Sequence, residues 1–271
     1  MSTEIEKLLG KEKDKNCHVV GHGPSLEEYL PKLSVLDKNK DIIFSVNDVD
    51  TMTDLYPDYW LTTNPDYNVR NIYKRINSFP ETTFLYSDCY DLTPFNEADN
   101  LLDVEYYSFD SLHFKTRPNI FYVKGWRLGC DRGWINCCSN IIDKRLTVQE
   151  YLQKISDYEN HYSSGDTGIL HALAFAVILG SKNINLYGVD LDYNLGYVNG
   201  NLTDSDGKAN HGDSFDYWMD RIMSDFYIIN ESAKMLEIKI NYLGYNEKLK
   251  NIFVKNYKPE KVYESSCRNY N

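Results

Sequence analysis

Nowhere does the sequence hold an apolar run near the ~18 residues needed to cross a bilayer, so no membrane-spanning helix is expected. The opening residues, MSTEIEKLLGKEKDKN, lack the apolar centre of a secretory signal. Six cysteines occur, at 17, 89, 130, 137, 138 and 267, without one CxxC spacing, and Cys137 and Cys138 are adjacent. That pattern suits neither a zinc site nor a disulfide ladder; it reads as reduced thiols in a cytoplasmic protein. Positive charge is scarce too: 29 Lys and Arg stand against 40 Asp and Glu, a net −11. A field of that sign repels nucleic-acid backbone and anionic lipid. Nucleic acid is therefore not an expected partner, and the sequence gives no support for peripheral membrane or glycolipid contact. Internal repeats and low-complexity linkers are absent, as are the phosphate-binding patterns GxxxxGK[ST] and GxGxxG.

Tyrosine, by contrast, is plentiful at 23 residues. It reflects either the base composition of the gene or a polar aromatic cleft suited to sugars or bases, since the ring offers a flat apolar face and a hydroxyl. The apolar fraction of 42% supports a core, and 271 residues fit one large α/β domain or two small ones.

Short β-prone runs alternate with helical spacings. Cys17–Gly21, Asp41–Val46, 57–63, 82–87, 183–191 and 239–244 read as strands. Leucines at 26, 30, 33 and 36 predict a helix, with Ser25 and Glu28 in a capping-box spacing. Further helices are expected over 68–77, 167–180 (Gly180 ending it) and 214–237. The alternation predicts an α/β, Rossmann-like fold: a mostly parallel sheet with helices on both faces. Residues 1–16 read as a short polar helix or a frayed arm. Residues 17–271 read as a single domain with a smaller lid or insert around 91–159, and 88–145 shows no sustained period. The tyrosine-rich middle is a candidate interface for a homo-oligomer.

The chemistry-bearing candidates lie at the ends of these elements. HVVGHGPSL leaves a strand through Gly21, His22, Gly23, Pro24 and Ser25. Either the glycines serve a tight turn, or they let a phosphate approach backbone N–H groups at a helix start. Asn47 follows the second strand, where ligands of open sheets gather, or else closes an Asx turn there. Ser164, Thr167 and Gly168 precede the apolar helix and form either an anion nest or an ordinary cap. His171 reads as an interior histidine. Asp190 and Asp192 follow a buried strand, positions suited to a ribose, a sugar hydroxyl or Mg²⁺. His211, in a polar loop, is free to take a proton near neutral pH, or is a surface histidine without a role.

Taken together, Gly21-His22-Gly23-Pro24-Ser25-Leu26 and TGILHALAFAVILGSKNINLYGVDLDY resemble two blocks of a group of α/β transferases. One branch is the bacterial sialyltransferases of glycosyltransferase family 42. The other is the domain-of-unknown-function group 115, which includes archaeal 6-hydroxymethylpterin diphosphokinases. The likeness spans roughly residues 17–90 and 160–245. The sialyltransferase resemblance implies a nucleotide-sugar-dependent glycosyltransferase that passes a sugar from a CMP-type donor to the hydroxyl of a glycan-like acceptor. It implies donor contacts from Gly21, Gly23, Pro24, Ser25, Asn47, Ser164, Thr167 and Gly168; His22, Asn64 and Asp190 stand beside them as further nucleotide-binding candidates by position. It makes His211 the general base, with Tyr193 and Tyr197 steadying the departing phosphate. This chain departs from that family in carrying His22 where the family has asparagine, and His161 and Tyr162 where it has an arginine.

LYPDYWLTTNPDYN resembles the pterin branch instead. That resemblance implies an ATP-using, Mg²⁺-dependent diphosphokinase, with Asp66 and Asp192 near the metal. The further alternative is a nucleotide- or sugar-binding module without catalysis.

Overall fold

In a computed structural model, residues 8, 10–47, 49, 53–62, 78–87, 120–123, 167–192, 215–255 and 258–259 are described. Among them, seven strands, all parallel, form one sheet: β1 (Asn16–Val20), β2 (Asp41–Val46), β3 (Tyr59–Thr62), β4 (Thr83–Ser87), β5 (Ile120–Val123), β6 (Asn183–Tyr187) and β7 (Lys239–Leu243). Their order is β5-β4-β3-β2-β1-β6-β7. The strand order reverses between β1 and β6, which makes that boundary the topological switch point of the sheet. The expected α/β Rossmann-like architecture is the one observed.

Period-two alternation assigns the faces. Cys17, Val19, Ile42, Phe44, Ile184 and Leu186 point to one side, where they pack with α2 (Gly168–Ile178), α3 (Phe215–Met235) and α4 (Glu247–Lys255). Val20, Ile43 and Tyr187 point to the other, under Leu26, Leu33, Val49 and Leu55. Parallel strands are covered on both faces, which is why they read as continuous apolar runs. Leu26, wholly buried, contributes on the order of 2 kcal/mol to closing the second face.

The helix expected over the leucines at 26–36 is not formed as one piece. A 3-10 turn covers Pro24–Glu28, and α1 is a single turn at Leu30–Leu33. Pro31 is the reason: in a continuous helix it would leave the Glu27 carbonyl without its donor and press its ring on the preceding turn. The capping box fails with it. Gly23 holds the cap position without a side-chain bond, and Glu28 instead accepts a hydrogen bond from the Tyr245 hydroxyl. Strands β1 to β4, β6 and β7, and helices α2 and α3, lie where the sequence places them to within a few residues. β5 falls inside the stretch that showed no period, and α4 went unread. The helix expected at 68–77 lies outside the described residues.

The N-terminal residues that are described are docked rather than frayed. Leu8 and Glu12 are buried, Glu12 N–H donates to the Leu179 carbonyl (2.8 Å), and the Tyr59 hydroxyl donates to Glu12 Oε1 (2.7 Å). Cys17 is a free, buried thiol, pushed well above the usual thiol range first by burial and then by Asp58 and Glu12. Among the described residues, no helix is long and apolar enough to cross a membrane.

Candidate functional site

β1 ends at Val20, and the backbone turns out of the sheet through the glycines. Gly21 N–H donates to the Tyr187 carbonyl (2.9 Å), and Gly23 N–H to the Gly188 carbonyl (2.8 Å). Ser25 N–H donates to Asp190 Oδ2 (2.8 Å), and Leu26 N–H to the Gly23 carbonyl (3.1 Å). Pro24 has no N–H to give. The N–H groups of Gly21, Gly23 and Ser25, candidates for a phosphate cradle, are thus directed at protein acceptors. The glycines answer to the same contact: a Cβ on Gly21 would stand 2.6 Å from the Gly188 carbonyl oxygen, and one on Gly23 would stand 2.5 Å from Asp190 Oδ2. Gly188, at φ +61, would bring its own Cβ to 2.4 Å from the Gly21 oxygen. Close packing on the loop after β6 gives both glycines a reason distinct from the tight turn and from a phosphate contact.

Asp190 follows that turn and is 3% exposed. Its Oδ2 accepts from Ser25 N–H and its Oδ1 from Tyr245 N–H, each at 2.8 Å. Its carbonyl accepts from Asn246 Nδ2 (2.9 Å). The Tyr242 hydroxyl donates to the Val189 carbonyl (2.8 Å) and accepts from Asn246 N–H (3.0 Å). Asn246 Oδ1 in turn accepts from Leu249 N–H in the first turn of α4 (3.1 Å). The loops after β1, β6 and β7 are therefore tied at one carboxylate.

Asn47 closes β2 in the left-handed region, at φ 53, which asparagine tolerates better than most residues. Its N–H donates to the Leu61 carbonyl (2.8 Å), and its carbonyl accepts from Trp60 Nε1 (2.6 Å). Both backbone groups are used, and the residue is half-buried.

α2 opens beside the same turn: Ile169 Cδ1 lies 3.1 Å from where a Gly21 Cβ would be. Thr167 is the N-cap, with extended backbone and its side chain accepting from Leu170 N–H at 3.4 Å. The first-turn N–H groups of Gly168 and Ile169 precede any intrahelical partner. His171, one turn in, is buried, and burial pushes it down to about 3. It is a neutral interior histidine, as expected.

Gly21, Asn47, Thr167 and Asp190 thus share the carboxyl edge of the sheet around its switch point. Gly21, Ser25 and Asp190 are buried there, while His22, Gly23, Pro24, Asn47, Thr167 and Gly168 are half-buried. The Ser25 hydroxyl, and that of Ser45 on β2, are buried without a hydrogen-bond partner among the described residues. Asp192 is exposed. Among the described residues, no three His, Cys, Asp or Glu side chains are placed to hold a metal ion. Asn64, Asp66, Ser164, Tyr193, Tyr197 and His211 lie outside the described residues.

One polar chain has no signal in the sequence. His18 Nδ1 lies 3.1 Å from the Tyr187 hydroxyl, and Nε2 lies 3.1 Å from Asp41 Oδ1. Asn16 Nδ2 donates to the same oxygen at 2.8 Å. Burial raises Tyr187 to about 12, so its hydroxyl keeps its proton. Burial works against the Asp41 carboxylate, but the hydrogen bonds from Asn16 and His18 outweigh it and hold the group below its usual range. The imidazole is then the Nε2–H tautomer, donating to Asp41 and accepting from Tyr187. Burial lowers His18 further than Asp41 raises it. Strand alternation puts His18 and Tyr187 on one face; the partner 169 residues away is what the sequence hides.

No family model matches the sequence, and no curated protein matches it. Among solved structures, the chain is similar to the sialyltransferase CstII from Campylobacter jejuni in complex with a substrate analogue, CMP-3FNeuAc. The two are 16% identical, with a TM-score of 0.43, over 90% of this chain and 84% of that one.

Proposed function

We propose that this chain is a transferase acting on a nucleotide-activated sugar, with a CMP-type donor seated at the carboxyl edge over the boundary between β1 and β6. One observation carries the reading: the Gly21–Ser25 turn, Asn47 and the start of α2, far apart in sequence, meet at the switch point of a parallel sheet. Nucleotides bind at such a crevice in open α/β sheets. The family resemblance of the same segments supplies the donor class.

In this reading the donor phosphate faces the first turn of α2, where the N–H groups of Gly168 and Ile169 and the positive end of the helix stabilise negative charge. Asn47 and His22, both half-buried, are the side chains that flank the nucleoside. His211 removes the proton of the acceptor hydroxyl as the bond from sugar to phosphate breaks. Tyr193 and Tyr197 donate to the departing phosphate, so charge is met by hydrogen bonds and dipoles.

A thermal-shift panel with CMP, CDP, UDP, GDP and ATP, with and without Mg²⁺, tests the donor class. A ligand at 100 times its dissociation constant adds about 2.7 kcal/mol of stability, enough to rank the nucleotides. CMP is expected to raise Tm most, with no need of Mg²⁺. A shift from ATP alone that vanishes with EDTA would replace this reading by the diphosphokinase one. With a donor in hand, His211→Ala is expected to lose transfer while CMP affinity stays near wild type; normal turnover would remove His211 from the mechanism.

A further inference from the structure

We infer that Asp190 is a positioning residue for the donor site rather than a ligand of the nucleotide: its carboxylate fixes the Gly21–Ser25 turn against the loop after β7. The inference rests on the donor-site reading above.

The geometry leaves the carboxylate little else to do. Each oxygen accepts a backbone N–H at 2.8 Å, one from Ser25 and one from Tyr245, and the group is 3% exposed. Its neighbours are built around it. Gly23 has no room for a Cβ, which would meet Oδ2 at 2.5 Å. The Asp190 carbonyl holds Asn246, the residue that caps α4. The same two loops are joined again at the rim, where the Tyr245 hydroxyl donates to Glu28 and is pushed up to about 12 by that bond first. A carboxyl group whose two oxygens each accept from a backbone donor is a strong and directional tie. It sets the position of half-buried His22, Gly23 and Pro24 before any ligand arrives, which is how a supporting residue raises affinity without touching the ligand.

Amide hydrogen exchange on the full chain, without nucleotide, reads the tie directly. Ser25 and Tyr245 are expected to be protected in the wild type; rapid exchange at either would overturn the inference. Asp190→Asn keeps one acceptor and presents an N–H₂ to the other donor. It is expected to raise exchange at Ser25 or Tyr245, and to weaken CMP binding, each by about tenfold. Gly23→Ala leaves the carboxylate in place and displaces the turn, so it is expected to release Ser25 but not Tyr245, again with loss of CMP affinity; it also carries the test if Asp190→Asn does not fold. Asp41→Asn, at the opposite end of the strands, controls for lost stability and is expected to change neither readout. Protection retained in Asp190→Asn, or protection lost with CMP affinity unchanged, overturns the positioning role. If the wild type binds no CMP, the donor-site reading falls and the positioning role with it, whereas the exchange pattern, which needs no nucleotide, still shows whether the tie exists. The two failures are thereby distinguished.

Discussion

Gly188 shows how a single residue can be dictated by a contact made across the fold. It sits at φ +61, and a Cβ there would be 2.4 Å from the Gly21 carbonyl oxygen, a backbone atom that cannot step aside. Gly10 has almost the same backbone, φ +68, with nothing within 4 Å of its Cβ position. Gly10→Ala is therefore expected to cost only the left-handed penalty, about 1–2 kcal/mol. Gly188→Ala adds a backbone clash and is expected to exceed about 3 kcal/mol, or to prevent folding. Urea titration of both variants checks the difference; equal costs would mean that the Gly21–Gly188 approach is not as close as described. The sequence marks both positions as glycine, but it does not say which one faces open space.

At the scale of elements, α2 was legible and the segment after β1 was not. α2 is apolar nearly throughout, has a threonine at its start and a glycine at φ +86 just after its end, all local signals. Its cap bond is long, 3.4 Å, so Thr167→Ala is expected to lower stability by about 0.5–1 kcal/mol and Thr167→Ser by less. Equal stability of all three proteins in urea would show that the cap contributes nothing. After β1, the leucine spacing was helical, but Pro31 overrides spacing with a missing donor and a steric clash. Those leucines are still used: Leu26 and Leu33 bury against Val20, Ile43 and Tyr187. The periodicity correctly named the buried side chains while misjudging the backbone that carries them. β5, Ile120–Val123, escaped notice because the aromatics, charges and glycines around it show no sustained period against which a strand would stand out.

For the whole molecule, both sheet faces hold a histidine that burial keeps neutral. His18 lies on the face of Tyr187, and His171 lies in α2 on the other. Both are depressed in the folded protein, His171 to about 3. Above an unfolded value of about 6.5 neither state binds these protons, so stability does not depend on them. As pH falls through that value the unfolded chain takes up protons that the folded one refuses. Stability is then lost, with a slope approaching about 1.4 kcal/mol per pH unit for each histidine, until its folded value is reached. Urea midpoints at pH 7.5, 6, 5 and 4 are expected to fall steadily below about pH 6.5. A flat profile down to pH 5 would mean that these imidazoles charge freely in the folded state.

Local patterns in the chain are enough to read β1 to β4, β6 and β7, the apolar side chains that face inward, the α/β architecture, and the glycine, asparagine and small polar residues at strand ends. These follow from period, turn chemistry and caps, each readable within a dozen residues. What those strand ends do depends on packing across the fold. That packing placed β6 beside β1 across some 160 residues of chain, and so brought Asp190 to the Ser25 amide and Gly188 to Gly21. A backbone N–H beside a glycine serves an anion or a neighbouring loop equally well. Which of the two it meets depends on what the rest of the chain brings within 3 Å, and that is a property of packing rather than of any stretch of sequence.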